Sequence, residues 1–235
     1  FAGIGESALE DLLIDLIKGQ SDPTIAPYAK EGEVAIRLST KAADEAEAAA
    51  KLDETVRAIE RLAGRYLYAR EDVPLEVTVV RQLRAAGKTA ASAESCTGGL
   101  LAELITSVPG SSEAFAGGFV TYTNAMKRDA LGVPAELLEG PDAPGAISGE
   151  TAAAMAEWTL ERTGADYALA ITGVAGPSPS EGKPPGLVYV ALAERGGRTD
   201  VHELKLSGGR DGVRLRAAKH ALYRLWERLS GFAKM

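Results

Sequence analysis

The chain has 235 residues, of which 46% are hydrophobic and 25% are charged, and its formal net charge is -7. This length suits two small domains or one large one, the acidic balance argues against broad electrostatic binding to nucleic acid or anionic lipid, and no apolar run reaches the roughly 18 residues that span a membrane. One cysteine rules out a disulfide within the chain, and with only two histidines we expect neither a metal site nor a Ser-His-Asp triad.

The first residues do not resemble a targeting segment. No basic stretch followed by an apolar run is present, so we expect no signal peptide and a cytoplasmic protein. The sequence begins with Phe1 rather than with methionine, which leaves open that it is part of a longer protein.

The first 70 residues predict a small, acidic α+β block. Apolar residues recur at helical spacing up to Gly19, which is a typical helix stop. An Ala/Glu/Lys/Arg-rich stretch predicts a long helix capped by Ser39 or Thr40. The predicted elements are, in order, a helix at 6–18, a strand at 33–38, a helix at 41–64 and a second strand at 66–69.

Strands and helices alternate after Pro74, which suits the first turn of a helix. This alternation favours a layered α/β domain. Three late strands, two of them joined by a short turn at Gly196 and Gly197, favour a mixed sheet. The predicted helices are 75–88, 98–108, 125–132, 148–164 and 213–229, and the predicted strands are 89–94, 117–123, 165–172, 186–194 and 198–206.

The first candidate site is the strand–turn–helix junction ESCTGG at residues 94–99. Ligands of α/β sheets bind at the carboxyl ends of strands, and the N–H groups at a helix N-terminus can hold an oxyanion or a phosphate. The simpler alternative is structural, with Ser95 or Thr97 capping the helix and the glycines forming the turn. The segment does not match a P-loop, so a nucleoside triphosphate has no support.

The second candidate site is TYTNAMK, residues 121–127, where a tyrosine leaves a strand and Lys127 follows five residues later. Asn124 or Thr123 is the expected cap of the short helix that starts here. A helix N-terminus and burial both lower the pKa of a lysine, and a neutral lysine can accept a proton from a serine hydroxyl. The alternative is a solvated surface lysine.

Two loops complete the candidate residues. The Gly/Pro-rich segment 171–186 has the length of a functional loop. There Thr172 and the backbone around Gly173 are expected to bind a ligand, and the alternative is a disordered connector. SGGRDG, residues 207–212, places Arg210 before a helix, where an arginine suits a phosphate or carboxylate, although most such arginines are simply exposed.

Seven segments occur in an order that resembles one family: AESCTGG, PGSS, GFVTYTNAMK, LGV, ITGVAGP, PPGLVYVAL and GGRDGVR. They are similar to the C-terminal domain of the competence-damage-inducible protein CinA, the nicotinamide mononucleotide deamidase family, over roughly residues 73–230. The resemblance predicts a layered α/β/α deamidase domain with a mixed sheet at 73–235. Residues 1–70 resemble the small α+β, KH-like linker domain that precedes it. The region between LGV and the next helix is often shorter in this family, and EGPDAP, 139–144, looks like an insertion there. We expect it to affect the local loop geometry and not the catalytic set.

The resemblance implies hydrolysis of the carboxamide of nicotinamide mononucleotide to nicotinate mononucleotide and ammonia, with no cofactor and no metal. It implies Ser95 as the nucleophile, with Tyr122 and Lys127 beside it. Lys127 would accept the serine proton, and Tyr122 would orient Lys127 or relay a proton to the leaving ammonia. Backbone N–H groups near residues 97–99 would stabilise the oxyanion. The expected substrate-binding residues are Thr97, Gly98, Gly99, Asn124, Thr172, Gly173 and Arg210, with Arg210 holding the phosphate.

We expect Ser95 rather than its neighbour Cys96 to be the nucleophile. A cysteine nucleophile usually pairs with a histidine, and neither His202 nor His220 lies in a segment that matches the family's site. Neighbouring residues at a strand end point in different directions, so Cys96 should pack inward as a small hydrophobe.

The resemblance also has implications beyond this site. It implies a homodimer and a possible association with the recombinase RecA, so a noncatalytic competence or recombination-associated interaction protein is the alternative function. Nucleic acid is a poorer candidate, because residues 20–65 are acidic and lack the G-x-x-G loop of RNA-binding KH modules. The larger N-terminal domain of CinA proteins, similar to molybdopterin-biosynthesis domains, has no counterpart here, so its pyrophosphatase chemistry is not expected.

Overall fold

The computed structural model describes residues 1–232, which fall into two compact units, Phe1–Leu75 and Glu76–Met235. The first unit packs two helices against a β-hairpin around a core that includes Leu9, Leu13 and Ile59. Its elements are α1 (Glu6–Gly19), β1 (Thr24–Lys30), β2 (Glu33–Ser39) and α2 (Glu45–Ala63).

Two predictions for this unit are wrong. Residues 66–69 form no strand; β2 instead pairs antiparallel with β1, which had not been predicted. Ile25 is the one buried residue of β1, so its sequence lacks the alternation that identifies a half-buried strand. The cap of α2 is Asp44 rather than Ser39 or Thr40, because the Asp44 carboxylate accepts the Glu47 N–H at 2.9 Å.

The second unit contains a five-stranded mixed sheet, as predicted. In the order β4-β3-β5-β6-β7, β3 is parallel to β4 and β5, while β6 is antiparallel to both of its neighbours. Its strands are β3 (Ala90–Glu94), β4 (Phe115–Val120), β5 (Tyr167–Gly173), β6 (Leu187–Glu194) and β7 (Thr199–Lys205). Its helices are α3 (Leu75–Ala86), α4 (Leu100–Thr106), α5 (Asn124–Met126), α6 (Ala135–Leu138), α7 (Gly149–Thr163) and α8 (Arg210–Leu229).

Both faces of this sheet are covered. On β5, Ala168 and Ala170 pack in one cluster with residues of α7, and these small side chains let the helix approach closely. The alternate residues Leu169 and Ile171 point to the opposite face and are equally buried. A strand buried on both faces is typical of a three-layer α/β/α domain.

The largest departures from the sequence expectations occur beside the candidate site. Helix α4 begins at Leu100 rather than at the glycines, and α5 gives way after three residues to a π-helical turn, Lys127–Leu131. Thr123 caps α5, since its hydroxyl accepts the Met126 N–H. Because β3, β4 and β5 are parallel, their carboxyl ends bring the segments that follow them to one edge of the sheet.

Candidate active site

Ser95 and Lys127 meet at this edge of the sheet. Ser95 follows the last residue of β3, and Lys127 begins the π-helical turn after α5. The Nζ of Lys127 lies 3.0 Å from the Oγ of Ser95. Ser95 is 9% exposed and Lys127 only 1%, so bulk water hardly reaches the contact. This is the geometry that a serine nucleophile and its base require.

Burial favours the neutral form of Lys127. Desolvation lowers the pKa of Lys127 below its usual 10.5, because a low-dielectric environment penalises the ammonium, while the charge of Glu181 acts in the opposite direction. We also expected a helix N-terminus to contribute, but α5 has only three residues and Lys127 follows its end. Burial is therefore the main cause.

The orientation of Lys127 does not come from Tyr122, contrary to our expectation. The second partner of the Lys127 Nζ is the backbone carbonyl of Thr121, at 2.9 Å. The Tyr122 side chain is 55% exposed, and its hydroxyl accepts a hydrogen bond from the Arg210 Nη2 at 2.9 Å. Tyr122 lies beyond the end of β4 at Val120, and its hydroxyl bonds to Arg210 rather than to the Lys127 Nζ.

Arg210 lies at the same mouth of the site and carries an uncompensated charge. Its guanidinium donates to the Tyr122 hydroxyl and, at 2.9 Å, to the Gly176 carbonyl. Both acceptors are neutral, and within residues 1–232 no carboxylate forms an ion pair with Arg210. It begins α8, whose preceding residue Gly209 provides no side-chain cap. An exposed arginine at an uncapped helix N-terminus suits an anion.

The turn after Ser95 offers fewer backbone donors than we expected. The N–H of Gly98 donates to the Ser95 carbonyl at 3.1 Å, and the N–H of Gly99 donates to the Glu94 carboxylate at 3.0 Å. Neither glycine therefore has a free donor for an oxyanion. The N–H of Thr97 donates to no acceptor in the part of the chain that the structure describes, so among residues 97–99 it is the donor that stays available.

Thr97 has two further features that the sequence did not reveal. Its hydroxyl is buried and has no hydrogen-bond partner among the described residues. Its carbonyl accepts two bonds from the half-buried Arg214, from Nη2 at 2.9 Å and from Nε at 3.3 Å. Arg214 follows Arg210 by one turn of α8, so the one signal available was the second arginine of GGRDGVR.

Two predicted ligand-binding residues also have structural roles in the fold, and their binding of a ligand stays a prediction. The hydroxyl of Thr172 donates to the Ala146 carbonyl at 2.6 Å, and the side chain is buried. At Gly173 a Cβ would lie 2.6 Å from the Leu187 carbonyl oxygen, so glycine is needed for packing against β6. Asn124 differs from both, because it is half-buried and its amide forms no hydrogen bond within residues 1–232.

The Gly/Pro-rich loop is ordered rather than a disordered connector. The Glu181 carboxylate accepts the N–H of Ile147 at 3.2 Å, and the Lys183 ammonium donates to the Pro144 and Ile147 carbonyls. These contacts attach the loop to the segment that contains EGPDAP, and therefore to the residues preceding α7.

Cys96 lies inward, in agreement with its expected packing. It is a free, buried cysteine, and burial raises the pKa of its thiol to about 12. A thiol with so high a pKa remains protonated at neutral pH and is a poor nucleophile. Within residues 1–232 no cluster of three or more His, Cys, Asp or Glu residues could hold a metal ion. No helix in that range is both long and apolar enough to cross a membrane.

Comparison with solved structures identifies the fold class. A CinA superfamily protein from Klebsiella pneumoniae has a TM-score of 0.63 and 34% identity, and the match covers 67% of this chain and 96% of that one. The competence/damage inducible protein CihA from Agrobacterium tumefaciens has a TM-score of 0.61 and 39% identity, covering 69% of this chain and 99% of that one. The larger unit thus has the fold of the CinA superfamily.

Sequence comparison identifies the family. Residues 72–229 match the model of the CinA C-terminal domain, and residues 1–69 match that of the damage-inducible protein CinA KH domain. A Geobacillus kaustophilus protein named "Putative competence-damage inducible protein" is 49% identical over 98% of this chain and 55% of its own length. One of the same name from Bacillus subtilis is 43% identical over 95% of this chain and 53% of its own. This chain belongs to the CinA C-terminal domain family, and it spans about half the length of these curated relatives.

Proposed function

We propose that this chain is an amidohydrolase that converts nicotinamide mononucleotide and water to nicotinate mononucleotide and ammonia. The observation that carries the proposal is the buried contact between Ser95 and Lys127, whose Oγ and Nζ are 3.0 Å apart. A lysine that is desolvated without a carboxylate partner is costly to a fold. Its placement against a serine hydroxyl suits a base that activates a nucleophile.

In the first half of the reaction, the Ser95 Oγ attacks the carboxamide carbon while the Lys127 Nζ takes the hydroxyl proton. The tetrahedral intermediate collapses as that proton passes to the leaving nitrogen, and ammonia departs from an acyl-enzyme ester. Tyr122 as the relay for this proton stays a prediction; its hydroxyl lies at the mouth of the site, on Arg210.

In the second half, a water molecule attacks the ester carbonyl and Lys127 accepts the water proton. Collapse of the second intermediate breaks the bond to the Ser95 Oγ, which takes the proton back from Lys127. The product is the carboxylic acid, which ionises at neutral pH. The lysine ends the cycle neutral, as it began, so it can act as the base in the next turnover.

The remaining groups have separate roles in this proposal. The N–H of Thr97 is the oxyanion donor, because the N–H groups of Gly98 and Gly99 already donate to the Ser95 carbonyl and the Glu94 carboxylate. Arg210 holds the phosphate together with the N-terminus of α8, because its charge meets only neutral acceptors. The half-buried amide of Asn124 is a further polar group for the substrate.

Residues 73–235 form the deamidase domain in this proposal, and residues 1–70 form a KH-like domain to which we assign no catalytic residue. The homodimer and the association with RecA stay predictions that rest on the family resemblance, and the cytoplasmic location stays a prediction as well. A noncatalytic interaction protein is the alternative, since the relatives' names refer to competence and damage and not to a reaction.

Ammonia release from nicotinamide mononucleotide by the purified protein tests the proposal. We expect turnover that is lost in Ser95→Ala, with one ammonia formed for each nicotinate mononucleotide. A folded protein that releases no ammonia from the mononucleotide would favour the interaction protein.

A further inference from the structure

The carboxylate of Glu94 is buried directly beside the proposed nucleophile and faces backbone donors alone. Only 1% of the residue is exposed. One carboxylate oxygen accepts the N–H groups of Gly99 at 3.0 Å and Leu101 at 2.9 Å, and the other accepts that of Ala102 at 2.8 Å. Among the described residues it forms no salt bridge, so these three bonds compensate the burial of the charge.

These bonds cap α4 from outside the helix. An α-helix begins with N–H groups that lack partners, and a negative charge there is favourable. Gly99, the residue before α4, is left-handed and has no side chain to act as a cap. Gly98 and Gly99 have φ of 62° and 97°, which glycine adopts without strain, and so the chain can curl back toward Glu94.

The backbone of Glu94 connects to both members of the Ser95–Lys127 pair. Its carbonyl accepts the N–H of Thr121 at 2.8 Å, and the carbonyl of Thr121 in turn accepts from the Lys127 Nζ. The N–H of Ser95 donates to the Ile171 carbonyl at 2.9 Å. The near end of the turn is thus held by the neighbouring strands, and the Glu94 side chain holds its far end.

We infer that Glu94 is a positioning residue for the nucleophile, whose carboxylate closes the turn at residues 95–99 and keeps the Ser95 Oγ within reach of the Lys127 Nζ. Without it, the turn would keep its bond to the sheet at Ser95 and the bonds from Arg214 to the Thr97 carbonyl, but its far end would have no side-chain cap. A second consequence follows from the same bonds. The N-terminus of α4 already holds an anion, so a substrate phosphate must bind elsewhere.

Glu94→Gln tests this inference with little change in shape. The glutamine amide keeps one acceptor oxygen, but its NH₂ group replaces the other oxygen and faces a backbone N–H. At least one hydrogen bond is lost, and two donors then point at each other. Assuming the proposed deamidation, kcat should fall by about 100-fold, the scale of a misplacement near 1 Å, while KM changes by less than about 3-fold. Glu103→Gln is the control, since this exposed glutamate lies on the same helix and its carboxylate has no hydrogen bond within residues 1–232.

A second measurement does not depend on the substrate. Cys96, the single cysteine of the chain, lies inside the turn and is buried. If Glu94 closes the turn, iodoacetamide should alkylate Cys96 at least about 10-fold faster in Glu94→Gln than in the parent or in Glu103→Gln. The melting temperature, measured alongside, must show that Glu94→Gln is folded at the assay temperature.

The outcomes separate this inference from the proposed function. Failure of the parent protein to deamidate the mononucleotide overturns the proposed function, and the alkylation rate still decides the role of Glu94. A folded Glu94→Gln protein with the alkylation rate of the parent overturns the inference. If Glu94→Gln does not fold, Glu94→Asp replaces it, because the carboxylate is kept but is one methylene too short for its three bonds. This variant should show the same faster alkylation, and an unchanged rate counts equally against the inference.

Discussion

The Nζ of Lys127 lies 3.0 Å from the Oγ of Ser95 although the two residues are 32 positions apart in the chain. The contact forms because β3 and β4 are parallel neighbours, so that the segments leaving their carboxyl ends meet at one edge of the sheet. Thr121, the first residue after β4, holds the lysine through its carbonyl. The sheet topology therefore creates the pair, and the burial of Lys127 sets its chemistry.

Ser95→Ala should lower turnover by at least about 10³-fold, since the proposed mechanism loses its nucleophile. Cys96→Ala should retain turnover within about 3-fold and cost about 1 kcal/mol of the free energy of unfolding, as a typical substitution does. Steady-state kinetics and urea denaturation measure the two effects. A variant without Ser95 that stays active, together with an inactive Cys96→Ala, would make the enzyme a thiol amidase.

Turnover should rise with pH, and the pKa of Lys127 should set the midpoint of this rise. The base must be neutral, and burial lowers its pKa below 10.5, so the midpoint of this rise should lie below that of a free lysine. Lys127→Arg should be inactive at every pH up to 10, because a guanidinium stays charged. The pH profile of kcat/KM measures the midpoint. A midpoint at or above 10.5 would contradict the assignment of Lys127 as the base.

The lowered pKa of Lys127 also predicts how the free energy of unfolding depends on pH. Between the lowered pKa of Lys127 in the folded protein and 10.5 in the unfolded chain, the unfolded chain binds the additional proton. The free energy of unfolding should therefore rise with pH across this window. Lys127→Met should remove this rise while Ser95→Ala keeps it, which urea denaturation at several pH values can detect. Equal slopes in both variants would show that Lys127 is not responsible.

Arg210→Ala should weaken binding of the mononucleotide by about 1.5–3 kcal/mol, the scale of a hydrogen bond to a charged group. Arg198→Ala is the matched control, because this arginine is 73% exposed and lies in the turn between β6 and β7. Nicotinamide riboside, which lacks the phosphate, should be a poor substrate of the parent and should respond little to Arg210→Ala. Equal turnover of riboside and mononucleotide would remove the phosphate from recognition.

A chain that lacks residues 1–70 should deamidate the mononucleotide at a rate similar to that of the parent. Each proposed catalytic residue lies in the second unit, Glu76–Met235. Two solved relatives match 67% and 69% of this chain but 96% and 99% of their own length. This supports independent folding of a unit as large as the second one. Circular dichroism checks the fold of the truncated chain. A folded but inactive product would show that the first unit contributes to the site.

His220 should make the protein less stable in mild acid. Desolvation, and after it the charge of Arg224, lower the pKa of His220 to about 3 from 6.5. Between these values the unfolded chain binds the proton and the folded protein does not, so the free energy of unfolding should fall as the pH drops from about 6.5 toward 3. His220→Gln should reduce this slope, measured by denaturant unfolding between pH 4 and 7. A slope unchanged in the variant would contradict the assignment.

The sequence by itself identified the segments to which we assign the chemistry. ESCTGG and TYTNAMK each lie at the carboxyl end of a predicted strand, and the order of seven motifs identifies the family from the sequence alone. Local periodicity was also sufficient for the long helices α1, α7 and α8, since an apolar face at helical spacing depends on neighbours in the chain. It failed for β1, whose residues are mostly exposed and therefore lack that pattern.

The tertiary structure alone decided which groups face each other. The bond between Arg210 and Tyr122 joins residues 88 positions apart, and no local pattern specifies it. The hydrogen bond from the Thr172 hydroxyl to the Ala146 carbonyl depends in the same way on packing between distant segments. Glu94 shows the physical reason most directly: its chain neighbours predict a helix N-terminus open to a ligand, but folding buries its carboxylate against those N–H groups. A buried charge must find partners, and which donors it finds is settled only when the chain has packed.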